Sequence, residues 1–192
     1  GLLAALGVTA ERAAALHPYL VVTHVGLGLL FFASLPFTKL RHLVTAPLNV
    51  IFRDRRNPAS LSFIQDIDEA EQLGVGQIEE FTPRQLLSLD ACVRCGRCEE
   101  LCPASGSGMP FSPRNVVQDL RAEMNRTLIA GNGNGDKQLL GGALPEHAPW
   151  YCTTCGACLD VCPAYVSPME EIIDLRRYQV LTTGKIEKSV AD

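Results

Sequence analysis

Eight cysteines stand in two runs, CVRCGRCEELCP (Cys92, Cys95, Cys98, Cys102, Pro103) and CTTCGACLDVCP (Cys152, Cys155, Cys158, Cys162, Pro163), and none is left over. Both runs have the C-x2-C-x2-C-x3-C-P spacing of chains that hold two [4Fe–4S] clusters. Three thiolates at that spacing wrap one face of a cubane. The fourth is carried away by the turn that proline sets and reaches the neighbouring cluster. One expected ligand set is therefore Cys92, Cys95, Cys98 and Cys162, and the other is Cys152, Cys155, Cys158 and Cys102. Zinc fits less well, because its knuckles come as C-x2-C pairs over a longer gap without the C-x3-C-P tail. Structural disulfides fit poorly for thiols in a reducing compartment. Arg94 and Arg97 lie inside the first run, where the second has threonines and alanine. Positive charge favours the more negative reduced cluster, so the Cys92 cluster is expected to have the higher potential.

Two histidines form a second constellation. From Pro18 to Thr38 the chain carries no formal charge, and about 20 such residues are what a helix needs to cross the hydrocarbon. His24 lies inside this stretch, at membrane depth, where an ionisable group is kept only with a partner. His42 follows eighteen residues later, which at about 3.6 residues per turn is five whole turns. A helix continuing through Pro36 would place both imidazoles on one face near opposite sides of the membrane, as one axial ligand to each of two stacked haems. The plainer reading is an interhelical hydrogen bond for His24 and an interfacial basic residue for His42.

Charge is segregated along the chain. Residues 1–38 carry only Glu11 and Arg12; residues 39–56 carry five basic groups against Asp54; residues 57–192 carry eleven basic and nineteen acidic groups. The net charges run 0, +4 and −8. A basic cluster directly after a span marks its cytoplasmic end, so everything after Lys39 is expected on the cytoplasmic side of the inner membrane. Nothing in this distribution suits a nucleic-acid binder. The chain starts at Gly1 within an apolar run that is not a signal peptide, so it is expected to be a processed product or a piece of a longer polypeptide.

The elements that must position the cysteines read as helices. Thr82-Pro83, Ser112-Pro113 and Ser167-Pro168 each pair an N-cap residue with proline at the first helical position, and Glu170 would complete a capping box with Ser167. Val116, Val117, Leu120, Met124 and Leu128 recur at helical spacing after the first run, as do Met169, Ile172, Ile173 and Val180 after the second. Between the halves, residues 131–149 contain five glycines and two prolines and read as a mobile loop without a phosphate-binding ending. His147 reads as a loop polar group, and Trp150 as a cover that keeps water from a cluster. Asp66, Asp68, Glu69, Glu71, Glu79 and Glu80, with no basic group between, read as a solvated face or as a docking patch for a basic partner.

Residues 24–50, HVGLGLLFFASLPFTKLRHLVTAPLNV, resemble the last haem-bearing helix of the cytochrome b subunit of respiratory nitrate reductase and the related anchor of heterodisulfide-reductase-type enzymes. The resemblance implies His24 as the distal and His42 as the proximal ligand of one or two b haems, with the opposite ligands on other membrane helices. Residues 80–183 resemble the α-helical ferredoxin domain of succinate dehydrogenase iron–sulfur subunits and of heterodisulfide reductase and glycerol-3-phosphate dehydrogenase electron-transfer subunits. That implies quinone as the membrane partner, and a cytoplasmic redox partner or a catalytic CCG-type module. The expected architecture is all-α: a membrane segment over 1–46 with one full transmembrane helix at about 18–45, a cytoplasmic linker over 47–80, and an α-helical ferredoxin domain with two [4Fe–4S] clusters over 81–192. The expected function is electron transfer within a membrane-bound oxidoreductase, and no complete substrate site is visible. The alternative is a haem-free, membrane-tethered adaptor that docks a catalytic subunit.

Overall fold

The protein is described by a computed structural model in which residues 9–53, 55, 72–131 and 138–186 are placed. Asp66, Asp68, Glu69 and Glu71 of the acidic stretch lie outside these residues. The chain divides into two compact units, one up to Arg41 and one from His42 onward.

The first unit is dominated by one helix, α1 (Ala10–Ser34). Thr9 starts it from an extended conformation, its hydroxyl accepting from the Arg12 amide, which satisfies one of the donors a helix N-terminus leaves free. The apolar stretch Ala10–Phe37 is long and apolar enough to cross a membrane. The 25 residues of α1 rise about 37 Å, more than the roughly 30 Å of a hydrocarbon core. The helix does not continue through Pro36. It gives way to two short 3-10 turns, Leu35–Phe37 and Lys39–Arg41, with Thr38 extended between them at φ −111° and ψ 174°. His24 therefore stands on α1, and His42 on the next α-helix.

His42 opens α2 (His42–Phe52), which belongs to the second unit, so the boundary expected at residues 46–47 falls inside a packed helix. Asn49 of α2 is buried and its Nδ2 donates to the carbonyls of Ala164 (2.8 Å) and Tyr165 (3.2 Å). One turn earlier, the Thr45 hydroxyl donates to the Asp90 carbonyl at 3.2 Å. The partner helix is α3 (Pro83–Ala91), whose capping box joins Thr82 and Gln85. It delivers the chain to Cys92.

The internal repeat of the sequence is a structural repeat. Gly96 and Gly156, both left-handed (φ 85° and 78°), open the short helices α4 (Arg97–Glu100) and α7 (Ala157–Asp160). In the first half, α5 (Pro103–Gly106) then leads to α6 (Pro113–Met124); in the second the chain reaches α8 (Pro168–Arg177). Each long helix ends in a five-residue π-helical turn, Asn125–Ile129 and Tyr178–Thr182. The caps differ. Ser112 accepts from the Asn115 amide, whereas the buried Ser167 hydroxyl has no partner and Glu170 is drawn instead to Arg84 at 2.8 Å.

Leu89, Val117, Leu120, Ile172 and Leu175 are the centre of the core. Met124 belongs to it, while Leu128 lies in the π-helical turn that ends α6 and is exposed. Within the described part of the glycine-rich connection, Leu139 and Leu144 are buried, and the Leu139 amide donates to the Gly76 carbonyl at 2.8 Å. Among the described residues there is no strand, only an isolated bridge between Leu140 and Leu144.

Candidate functional site

The cysteines converge in two cavities. One is lined by Cys92, Cys95, Cys98 and Cys162. The other is lined by Cys102, Cys152, Cys155 and Cys158. In each, three cysteines of one run meet the last cysteine of the other. Cys158 and Pro168 line both cavities, so the two share a wall. Each cavity meets solvent at the middle cysteine of its run, since Cys95 and Cys155 are exposed while Cys102 and Cys158 are buried.

The backbone is shaped around sulfur. Arg94 and Thr154, equivalent in the repeat, both take positive φ (57° and 54°), an unusual conformation for residues with a side chain. The Thr154 amide lies 3.4 Å from Cys152 Sγ, and after Tyr165, which also takes a positive φ (53°), the Val166 amide lies 3.3 Å from Cys162 Sγ. Burial pushes the Cys98 thiol up to about 11 and the Cys158 thiol up to about 12, and neighbouring thiolates push in the same direction. Cys155 is lowered, first by the Ala157 amide at the start of α7. Crowded, partly buried sulfurs that resist ionisation together are the donor set that a cationic iron core stabilises, because the thiolate is the ligand form. No three described His, Cys, Asp or Glu side chains close on a single ion, and cavities that each gather three cysteines of one run and the last of the other suit a cubane. The residues present fit two [4Fe–4S] clusters.

Two arginines complete the site, and neither stood out in the sequence. Arg121 Nη1 donates to the carbonyl of Cys92 (3.2 Å) and its Nε to Asp90 Oδ1 (3.0 Å). Arg176 donates to the carbonyl of Cys152 and, through Nε and Nη2, to that of Pro149. Each arginine is the ninth residue after its helix-capping-position serine, Ser112 or Ser167, and that shared spacing is the signal that could have found them. They differ in charge balance. Arg121 is neutralised by Asp90, both nearly buried, whereas no described carboxylate pairs with Arg176, which lies over the Trp150 ring at 5.3 Å. Trp150 in turn donates to Gln179 at 2.9 Å, and His147 stacks edge-on against Tyr151. Arg97 and Arg94 of the first run are exposed, the latter bonded to Gln118, and Arg114 is paired with Glu99 at 2.8 Å.

Glu171 on α8 is fully buried, and neither carboxylate oxygen has a hydrogen-bond partner. Burial holds its carboxyl well above the usual carboxylate range. His42 is half-buried on the packed side of α2, and His24 is exposed on α1.

Residues 88–166 match the family described as a 4Fe-4S dicluster domain. Over 192 aligned residues the chain is 33% identical to the EtfAB:quinone oxidoreductase of Syntrophomonas wolfei, covering 88% of this chain and 27% of that protein. It is 37% identical to a probable membrane-anchored ferredoxin of Chromohalobacter salexigens over 62% of this chain and 21% of the relative. It is 36% identical to a dihydromethanophenazine:CoB--CoM heterodisulfide reductase polypeptide of Methanosarcina barkeri over 58% of this chain and 27% of the relative. The chain thus spans about a quarter of the length of these curated relatives. No solved structure matches it.

Proposed function

From a chain that is a heterodisulfide-reductase-like iron–sulfur protein with an all-α 4Fe-4S dicluster domain, we propose that its task is to pass electrons between a cytoplasmic redox partner and the membrane quinone pool, as a subunit or segment of a membrane-bound oxidoreductase. The observation that carries this reading is the shared wall: Cys158 and Pro168 line both cysteine cavities, which keeps the two redox centres close. When bound, the clusters supply reversible one-electron chemistry. The chain supplies the rest. Cys92, Cys95, Cys98 and Cys162 hold one centre and Cys152, Cys155, Cys158 and Cys102 the other, inward amides and the two arginines adjust the charge at sulfur, and Trp150 with Arg176 excludes water beside Cys152.

Membrane attachment draws support from α1 and from the membrane-anchored ferredoxin relative. Quinone as the membrane partner draws on the name of the Syntrophomonas relative. The cytoplasmic side for the iron–sulfur domain rests on the basic cluster after α1. Purified protein should contain about eight non-haem irons with matching sulfide, and in membranes its reduced clusters should be reoxidised by added quinone. Clusters that no quinone reoxidises would remove the quinone part. Protease should remove the domain from inverted vesicles and spare it in right-side-out ones; the reverse pattern overturns the sidedness.

The membrane-anchored ferredoxin relative favours a second form of this function, a haem-free, membrane-tethered adaptor that docks a catalytic subunit. Haem b on His24 and His42, with opposite ligands from other membrane helices, rests on the resemblance over residues 24–50. A reduced-minus-oxidised spectrum of the intact complex decides between them: b-type bands lost in His42→Ala support ligation, and a spectrum without b bands leaves the adaptor.

A further inference from the structure

The helix α2 is amphipathic in the wrong sense for a water-soluble domain. The side packed on the domain carries His42, Thr45, Ala46 and Asn49, while the side facing out carries Leu43, Val44, Leu48, Ile51 and Phe52, with Ile51 and Phe52 65% and 62% exposed. Five large apolar side chains on one exposed helix face are the mark of an interaction surface. We propose that this face lies in the headgroup–acyl boundary of the bilayer and seats the domain with the Cys92 cavity toward the membrane and the Cys152 cavity away from it. The inference rests on the membrane attachment proposed above.

Three observations select lipid as the occupant. Arg41 precedes α2, and Arg53, Arg55 and Arg56 follow it against the single acid Asp54, with no acidic residue between His42 and Arg53, so the apolar face is bracketed by net positive charge, as in helices that lie on anionic bilayers. Arg53 is held in place over the Tyr165 ring at 4.0 Å. Residues 57–192, at a net −8, are repelled by such a surface, which leaves α2 as the approach of favourable sign. Finally, only residues 35–41 separate α1 from α2, a tether of at most about 25 Å even when fully extended.

The orientation follows from what α2 grips. Thr45 bonds the carbonyl of Asp90, two residues before Cys92, and Asn49 bonds the carbonyls of Ala164 and Tyr165, just after Cys162. Cys92 and Cys162 line the same cavity. A surface that holds α2 therefore holds that cavity closest. Electrons exchanged with the membrane pass through the Cys92 centre, and the soluble partner meets the domain at the exposed Cys155 end.

The test uses the full chain in nanodiscs of phosphatidylcholine and phosphatidylglycerol, with plain or brominated acyl chains. Ile51→Trp places a fluorophore on the exposed face, and Trp150 is the internal reference. Bromine should quench the emission that Ile51→Trp adds and spare that of Trp150. A chain that enters the discs but shows no quenching at position 51 overturns the proposal while leaving the membrane reading intact, and identifies the face as free or protein-covered. A chain that does not enter the discs overturns both. A dysprosium chelate on the lipid headgroups should speed relaxation of the paramagnetic resonance signal that Cys92→Ser perturbs more than that of the other cluster; an equal or reversed effect overturns the orientation.

Discussion

Cys92 and Cys162, seventy residues apart in sequence, line one cavity, where burial pushes the Cys92 thiol up and a charged Cys162 pushes in the same direction. The two halves of the domain are therefore stitched together through metal sites and not only through the core. Cys162→Ser should alter the signal of the centre built by the first run while leaving that of Cys152, Cys155, Cys158 and Cys102 in place. Paramagnetic resonance of the reduced variant checks this; damage confined to the second-run centre would falsify the crossed ligand sets.

The two sulfur-side arginines set up a contrast in potential. Arg121 reaches the Cys92 carbonyl as half of an ion pair with Asp90, and Arg176 reaches the Cys152 carbonyl with no described carboxylate beside it. Arg94 and Arg97, which suggested a higher potential for the first centre, line the Cys92 cavity together with Arg114. Positive charge beside the Cys152 centre rests on Arg176. Arg176→Gln should shift the reduced fraction of that centre at fixed potential by on the order of tenfold, equivalent to about 59 mV downward, and leave the Cys92 centre unmoved. Potentiometric titration of the two signals measures both; an unchanged Cys152 midpoint removes Arg176 from the account.

Much of the cysteine chemistry was legible because spacing alone encodes it: C-x2-C-x2-C-x3-C-P fixes which sulfurs can share a centre wherever the domain sits. Helix starts at Thr82 and Ser112 were equally local, each a hydroxyl beside a proline. What could not be read was set by tertiary contacts. Pro18 and Pro47 are accommodated inside α-helices while Pro36 sits in the 3-10 turn after which the chain becomes extended at Thr38, and the residue type does not distinguish these outcomes. Arg121 and Arg176 look like solvated charges on amphipathic helices until the fold brings each back to its cysteine run. The packed side of α2 escaped notice because its Thr45 and Asn49 are polar, the reverse of the usual core signal.

The Asp90–Arg121 pair also bears on stability. Both side chains are nearly buried, 12% and 9% exposed, and Asp90 lies at the end of α3 where the chain enters the first run. Removing one partner strands a buried charge, which typically costs about 3–5 kcal/mol. Asp90→Ala should therefore lower the unfolding midpoint of the cluster-loaded protein sharply. Arg84→Ala should have a much smaller effect, because its pair with Glu170 is partly exposed at 31% and 17% and such pairs contribute about 0–1 kcal/mol. Equal losses in denaturant unfolding would contradict the ranking.

Glu171 predicts a pH dependence whose sign is fixed by burial. Its folded carboxyl titrates well above the ordinary range because the ionised form is desolvated, with Glu170 as a further push upward. The folded state therefore binds the proton more tightly than the unfolded chain does. Its contribution is fully present below the unfolded value, and it is lost as pH rises toward the folded value, since folding must then take up a proton. Glu171→Gln removes the proton uptake while keeping the shape, so the variant should match the native chain near pH 4 and gain on it by about 1.4 kcal/mol per pH unit above the unfolded value of about 4.3, until the folded carboxyl ionises. Unfolding free energies of both proteins, cluster-loaded and measured across the range from pH 5 to 8 where such stability curves are usually flat, give the slope directly. A difference that stays constant with pH would mean that Glu171 is ionised in the folded protein and has a partner that compensates its charge.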